Sequence, residues 1–190
     1  MTPDTYVCLK HPCIVLGDYA IRAIQPQDIE DIRQWRNAQI DVLRQDGEIT
    51  PDMQVAYFDT QIWPTFSEAN PSQILVTLFH RDLRIGYGGL VHMAWAHARA
   101  EVSFLVAPDI AADDARYGEA FDAFFSLIKT LAFEDLGLNR LTTETYASRT
   151  RHIERYQAQG FVEEGRLRQH VKVNGVYLDS LLHACLASAP

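Results

Sequence analysis

Between residues 74 and 107, three strand-length segments follow one another with connections too short to hold a helix. They are Ile74–His80, 84–95 and 101–107, and Arg81-Asp82 and residues 96–99 supply the turns. Parallel neighbours need a crossover of about a dozen residues or more, so these three run antiparallel, as a meander. From Glu119 onward, Phe121, Phe124, Phe125, Ile128, Leu131 and Ala132 recur at helical spacing, and Gly137 closes that helix. Arg140–Tyr146 (RLTTETY) is rich in β-branched residues and reads as a buried strand. Residues 150–159 form a helix ended by Gly160, and 161–186 form two strands joined at Asn174-Gly175, a strong hairpin signal.

Upstream, residues 19–23 alternate like a first strand. Pro26 opens a helix with Asp28 and Glu30 near its positive end, and Ile29, Ile32 and Trp35 share one face. Thr50-Pro51-Asp52 starts a second helix, with Val55, Phe58 and Ile62 on one face and Pro64 as its stop. Residues 1–17 read as a short extension in which 6–9 and 14–16 are strand-like, split by Pro12. The order is strand, two helices, three strands, helix, strand, helix, two strands. This is an α/β (α+β) chain with a mixed sheet of about six to seven strands and helices on both faces. Its 190 residues suit a single domain over 18–187.

Against 17 Lys and Arg stand 25 Asp and Glu, a formal charge of −8. So acidic a chain lacks the basic footprint of a nucleic-acid binder. No apolar run approaches the roughly 18 residues of a membrane helix, and no signal peptide is legible. The three cysteines, an odd number, make no disulfide framework, so a cytoplasmic location is expected. Cys8, His11 and Cys13 lie close together, but no second ligand cluster stands at zinc spacing. They read as flanks of a Pro12 turn, and no metal is expected.

Several motifs in the second half carry a resemblance. Ala132-Phe133, Tyr156 to Gly160-Phe161, Glu164-Gly165-Arg166-Leu167-Arg168 and Gly175-Val176-Tyr177-Leu178-Asp179 follow one another in the order found in the GNAT acetyltransferases. They are most similar to the branch with the ribosomal-protein alanine acetyltransferases RimJ and RimL. Trp35-Arg36-Asn37 also fits, and the resemblance covers roughly residues 18–187. It implies a GNAT fold, acetyl-coenzyme A as co-substrate, and acetyl transfer to a primary amine of a small molecule or peptide. Amino groups on nucleotide-linked sugars are one such acceptor class. A homodimer could form along the edge that the C-terminal strands offer.

By the same resemblance, Glu101 stands where many relatives carry a base carboxylate, and Tyr156 where relatives protonate the leaving thiolate. Phe104-Leu105-Val106 match the segment whose backbone pairs with the pantetheine arm. Trp35, Arg36, Tyr57 and Trp63 fall on the two helices that wall the acceptor site. From the residues themselves, Glu144 is a carboxylate inside a buried-looking strand and a second candidate base. His92, mid-strand among apolar neighbours, reads as a core histidine or as part of the acceptor pocket.

The pyrophosphate loop departs from the family's glycine-rich pattern. Residues 107–119 keep one glycine, Gly118, and hold Asp109, Asp113, Asp114 and Glu119. Two outcomes follow: amides around 116–120, with Arg116, Tyr117 and Gly118, rebuild the cradle, or cofactor binding is weakened. Arg149 and Arg151, at the start of the next helix, are further candidates for the cofactor's phosphates. The alternative to an active enzyme is a GNAT-fold protein that binds acyl-coenzyme A or serves in assembly without catalysis.

Overall fold

The computed structural model describes residues 4–43, 45 and 47–187. One eight-stranded sheet organises them: β1 (Cys13–Leu16), β2 (Tyr19–Ala23), β3 (Ile74–His80), β4 (Leu83–Ala94), β5 (Arg99–Val106), β6 (Arg140–Tyr146), β7 (Val162–Val173) and β8 (Val176–Leu186), in the spatial order β1-β2-β3-β4-β5-β6-β8-β7. The helices are α1 (Ile29–Asn37), α2 (Pro51–Tyr57), α3 (Pro108–Ala112), α4 (Asp114–Lys129) and α5 (Thr150–Ala158). Helix α2 runs on through wider and then tighter turns to Ser67, and α4 through wider turns to Asp135. The mixed sheet expected from the sequence is present, with one strand more than foreseen because Cys13–Leu16 pairs with β2. Residues 6–9 form no strand. The Tyr6 ring is instead buried against Phe66, and its hydroxyl accepts the Leu75 amide.

All but one of the adjacent strand pairs are antiparallel; the exception is β5 beside β6. That pairing involves only Arg99↔Arg140, Ala100↔Leu141 and Glu101↔Thr142. Past Glu101 the two strands have no shared ladder, so β5 from Val102 to Val106 keeps an open edge on that side.

Strand alternation sorts the side chains of the two faces. Val102 is buried on one face with Phe104, whose ring packs on Phe121, Phe124 and Phe125 of α4. Glu101, Ser103 and Leu105 point to the other face, toward α1 and α2. The same alternation, in register with β5, sends Thr142, Glu144 and Tyr146 of β6 that way.

Two helix starts are built on carboxylates. Asp28, near the start of the first helix as expected, is also fully buried. Its carboxylate accepts from the Gln25 amide at 2.9 Å and Thr77 Oγ1 at 2.7 Å and meets Arg22 at 3.3 Å, tying α1 to the sheet. Helix α4 begins five residues before Glu119. There Asp113 accepts from the amides of Ala115 and Arg116, both at 3.0 Å, as an N-cap. Among the described residues no helix is long and apolar enough to cross a membrane.

Candidate active site

Two cavities flank the open half of β5. The larger, about 440 Å³, lies on the α1–α2 face, lined among others by Ile32, Arg36, Tyr57, Leu75, Tyr87 and Ser103. The smaller, about 300 Å³, lies between β5 and the start of α5, lined by Gln39, Tyr117, Arg149, Arg151 and His152 among others. Both are also lined by Phe104 and Leu105. A molecule along the open strand edge would therefore face one chamber with one end and the other chamber with the other.

A hydrogen-bonded row of aromatic groups backs the smaller cavity. The Tyr117 hydroxyl meets His152 Nδ1, and His152 Nε2 lies 3.0 Å from the Tyr156 hydroxyl. Tyr117 and His152 line the cavity, whereas Tyr156 is only 4% exposed and lines neither chamber. The spacing on α5 explains the second contact, since His152 and Tyr156 stand four residues apart on one face. Burial, then the charges of Arg149 and Arg151, hold the His152 imidazole well below its usual range, so it is neutral. Burial pushes the Tyr117 hydroxyl up to about 12, opposed by Arg149, Arg151 and Arg155, and raises Tyr156 further.

The expected diphosphate cradle is not assembled at α4. The amides that would receive an anion there already receive the Asp113 carboxylate. Arg116 turns away to Asp109 at 3.0 Å. Gly118 leaves room for a side chain rather than a phosphate: a Cβ there would come within 2.1 Å of Arg155 Nη2. Neither Arg116 nor Gly118 lines the cavity, although Tyr117 between them does. Arg149 and Arg151 do line it, the latter stacked 4.2 Å over the Tyr117 ring and paired with Asp114. The start of α5 thus offers an anion two guanidinium groups and a helix N-terminus with no side-chain cap.

His92 is not a core histidine. The register of β4 against β5 slips between Val91 and Ala94, and His92, with φ of +49°, is swung into solvent with its side chain 75% exposed. Its Nδ1 lies 3.0 Å from Glu101 Oε2, a pair at the margin of the larger cavity and outside its wall. Glu144, on the same sheet face one strand over, lies 3.6 Å from His170 Nε2. On α1, Arg36 lines the larger cavity and Trp35 packs on the core instead. Trp63 packs between Phe58 and Phe66, away from the cavity. His11 Nδ1 turns to Asp135 Oδ1 at 2.8 Å rather than toward Cys8 or Cys13.

Comparison with known proteins agrees with this layout. Residues 21–182 match the family model described as an acetyltransferase (GNAT) domain. Several similar solved structures are spermidine N-acetyltransferases from Vibrio cholerae. One, in complex with CoA and spermine, has a TM-score of 0.74 at 18% identity over 90% of this chain and 97% of that one. Another, a dodecamer in an intermediate state, has a TM-score of 0.75 at 20% identity over 91% and 96%. At such identities the likeness is one of fold. None of the curated proteins compared matches this chain. With the family model spanning most of the chain and the half-open β5 between two chambers, the chain belongs to the GNAT acetyltransferase family.

Proposed function

We propose that the chain transfers an acetyl group from acetyl-coenzyme A to a primary amine by direct attack on the thioester. One observation carries this reading: the open edge of β5 joins a chamber for the acyl donor to a chamber for the acceptor through Phe104 and Leu105. The resemblance to the RimJ and RimL branch rests on the motifs of β7, β8 and α5 and supports the same reaction type. The residues fit the co-substrate in part. The backbone of 102–106 suits the amides of a pantetheine arm. Arg149, Arg151 and the start of α5 suit a diphosphate; the start of α4, capped by Asp113, does not.

Acetyl-coenzyme A supplies the activated thioester, and the chain supplies the rest. An alkylamine with a pKa near about 10.4 is charged at neutral pH and must lose a proton before attack. Glu101, steadied by His92, is the base we assign, since it shares the sheet face of Ser103 and Leu105. Glu144 lies two residues beyond Thr142, its partner in register. A β5 amide facing the cleft stabilises the developing oxyanion.

The Tyr117 hydroxyl, protonated at neutral pH, is the group that faces the leaving sulfur. Neutral His152 has one N–H to give. If Tyr117 gives its proton to the sulfur, His152 donates through Nδ1 and accepts the Tyr156 hydroxyl at Nε2. Tyr156 is thus a positioning residue acting through His152.

Titration calorimetry with acetyl-coenzyme A tests the reading, and absence of binding at high micromolar concentration overturns it. Given binding, Tyr117→Phe should lower kcat about 100-fold with affinity retained. Unchanged turnover would remove Tyr117 from the reaction. The Asp113 cap on α4 favours a second reading, a GNAT-fold protein whose diphosphate site is lost, and the same titration decides between the two.

A further inference from the structure

The larger chamber identifies a class of acceptor, an inference that rests on the acetyl-transfer reading above. Its wall is built of aliphatic and aromatic side chains from α1, α2, β3, β4 and β5. Arg36 is the one charged residue among the described residues lining it, and none of these is a carboxylate. Arg36 is half-buried and held in place by two bonds, Nε to Gln45 Oε1 at 3.0 Å and Nη1 to Tyr87 Oη at 2.9 Å. Among the described residues no carboxylate pairs with it, and the remaining N–H groups of its fork can take a planar anion.

At the mouth, Met53 and Tyr57 stand one turn apart on α2. They are 56% and 47% exposed and both belong to the cavity wall, so apolar surface is left for a ligand to cover.

A polyamine would bring several positive charges to a wall whose one described charge is a fixed guanidinium, while Glu101 and Glu144 lie outside that wall, on the side where a single amine reacts. A sugar would bring hydroxyls that the few polar groups cannot satisfy, since the Gln54 amide already donates to the Ile29 carbonyl. We infer that the acceptor is a small amine whose apolar body carries a single carboxylate or phosphate, with the anion on Arg36, the body against Met53, Tyr57 and Leu75, and the amine toward Leu105.

Five probes test this: L-phenylalanine, its phosphonate analogue 1-amino-2-phenylethylphosphonate, 4-(aminomethyl)benzoate, phenethylamine and spermidine. Each is titrated into the protein by ligand-observed NMR without co-substrate, then assayed for free-thiol release with acetyl-coenzyme A. The best anionic probe should exceed phenethylamine and spermidine by at least about ten-fold in binding and in kcat/KM. The carboxylate and phosphonate arms tell which anion is preferred. Arg36→Gln, checked for unchanged melting temperature, should collapse that advantage through KM.

Tightest binding or fastest turnover with spermidine, or an anion advantage that survives Arg36→Gln, overturns the inference. So does no binding by any anionic probe. Because the NMR titration needs no co-substrate, it stands apart from the acetyl-coenzyme A titration that tests the parent reading.

Discussion

Replacing His152 by glutamine removes a buried titratable ring and keeps a side chain able to bridge two hydroxyls. His152 is 6% exposed, lies between Tyr117 and Tyr156, and faces the charges of Arg149 and Arg151. Protonating it in place would put a third positive charge into a desolvated site. In the unfolded chain the same ring titrates near about 6.5.

Below that pH the unfolded state binds a proton that the folded state refuses, so stability falls as pH falls. Above it, neither state binds the proton and the contribution is level. The slope is at most about 1.4 kcal/mol per pH unit, so the contribution at pH 5 is at most about 2 kcal/mol. His183, also buried and shifted down by desolvation, adds a similar trend, but it is common to both proteins and cancels in the difference. Urea unfolding of wild type and His152→Gln, from about pH 5 to 7.5, gives that difference directly. The wild-type curve should drop away from the variant's below about pH 6.5. Parallel curves would mean that His152 takes up its proton over the same range folded as unfolded, and the account of a buried ring held neutral between the two tyrosines would be wrong.

Three other substitutions have outcomes set by the structure. Asp28→Ala removes the acceptor shared by Gln25, Thr77 and Arg22 and leaves buried donors unpaired; a loss of about 3 kcal/mol is expected by urea unfolding, and a loss below 1 kcal/mol would contradict that role. Asp113→Ala opens the start of α4 and should cost about 1 kcal/mol, read as a lower melting temperature; an unchanged melting point would show that the cap adds nothing. Gly88→Ala places a Cβ 2.2 Å from the Ser103 carbonyl oxygen and 2.8 Å from Phe124 Cζ, which must push β5 away from β4. About 3 kcal/mol of destabilisation and impaired acetyl-coenzyme A binding should follow, and wild-type values for both would show that β5 tolerates the shift.

The meander, the long aromatic helix, the RLTTETY strand and the Asn174-Gly175 hairpin were legible because each is set by local rules: periodicity, short connections and turn chemistry. Ile74–His80 and Arg140–Tyr146 have the same bounds in the sequence reading and in the structure. The motifs of α5, β7 and β8 pointed to the family on their own.

The beginnings of helices were less legible. An acidic residue near a helix start looks the same in sequence whether it only caps, as Asp113 does, or caps and also reaches across to the sheet from a buried position, as Asp28 does. The i, i+4 spacing of His152 and Tyr156 was available in the sequence, and that signal went unused. Tyr117, by contrast, is 35 residues from His152, and only the packing of α4 against α5 brings their polar atoms together.

His92 reads as apolar strand from its neighbours, and only the slip between β4 and β5 turns it out to Glu101. The sequence by itself determined the order of elements, the family and the acidic stretch at 109–119. The tertiary structure decided what that acid does, which hydroxyl lines the smaller cavity and which charge lines the larger one. The physical reason is that local periodicity fixes the face on which a side chain lies, while its partner, its burial and hence its protonation depend on elements far away in the chain.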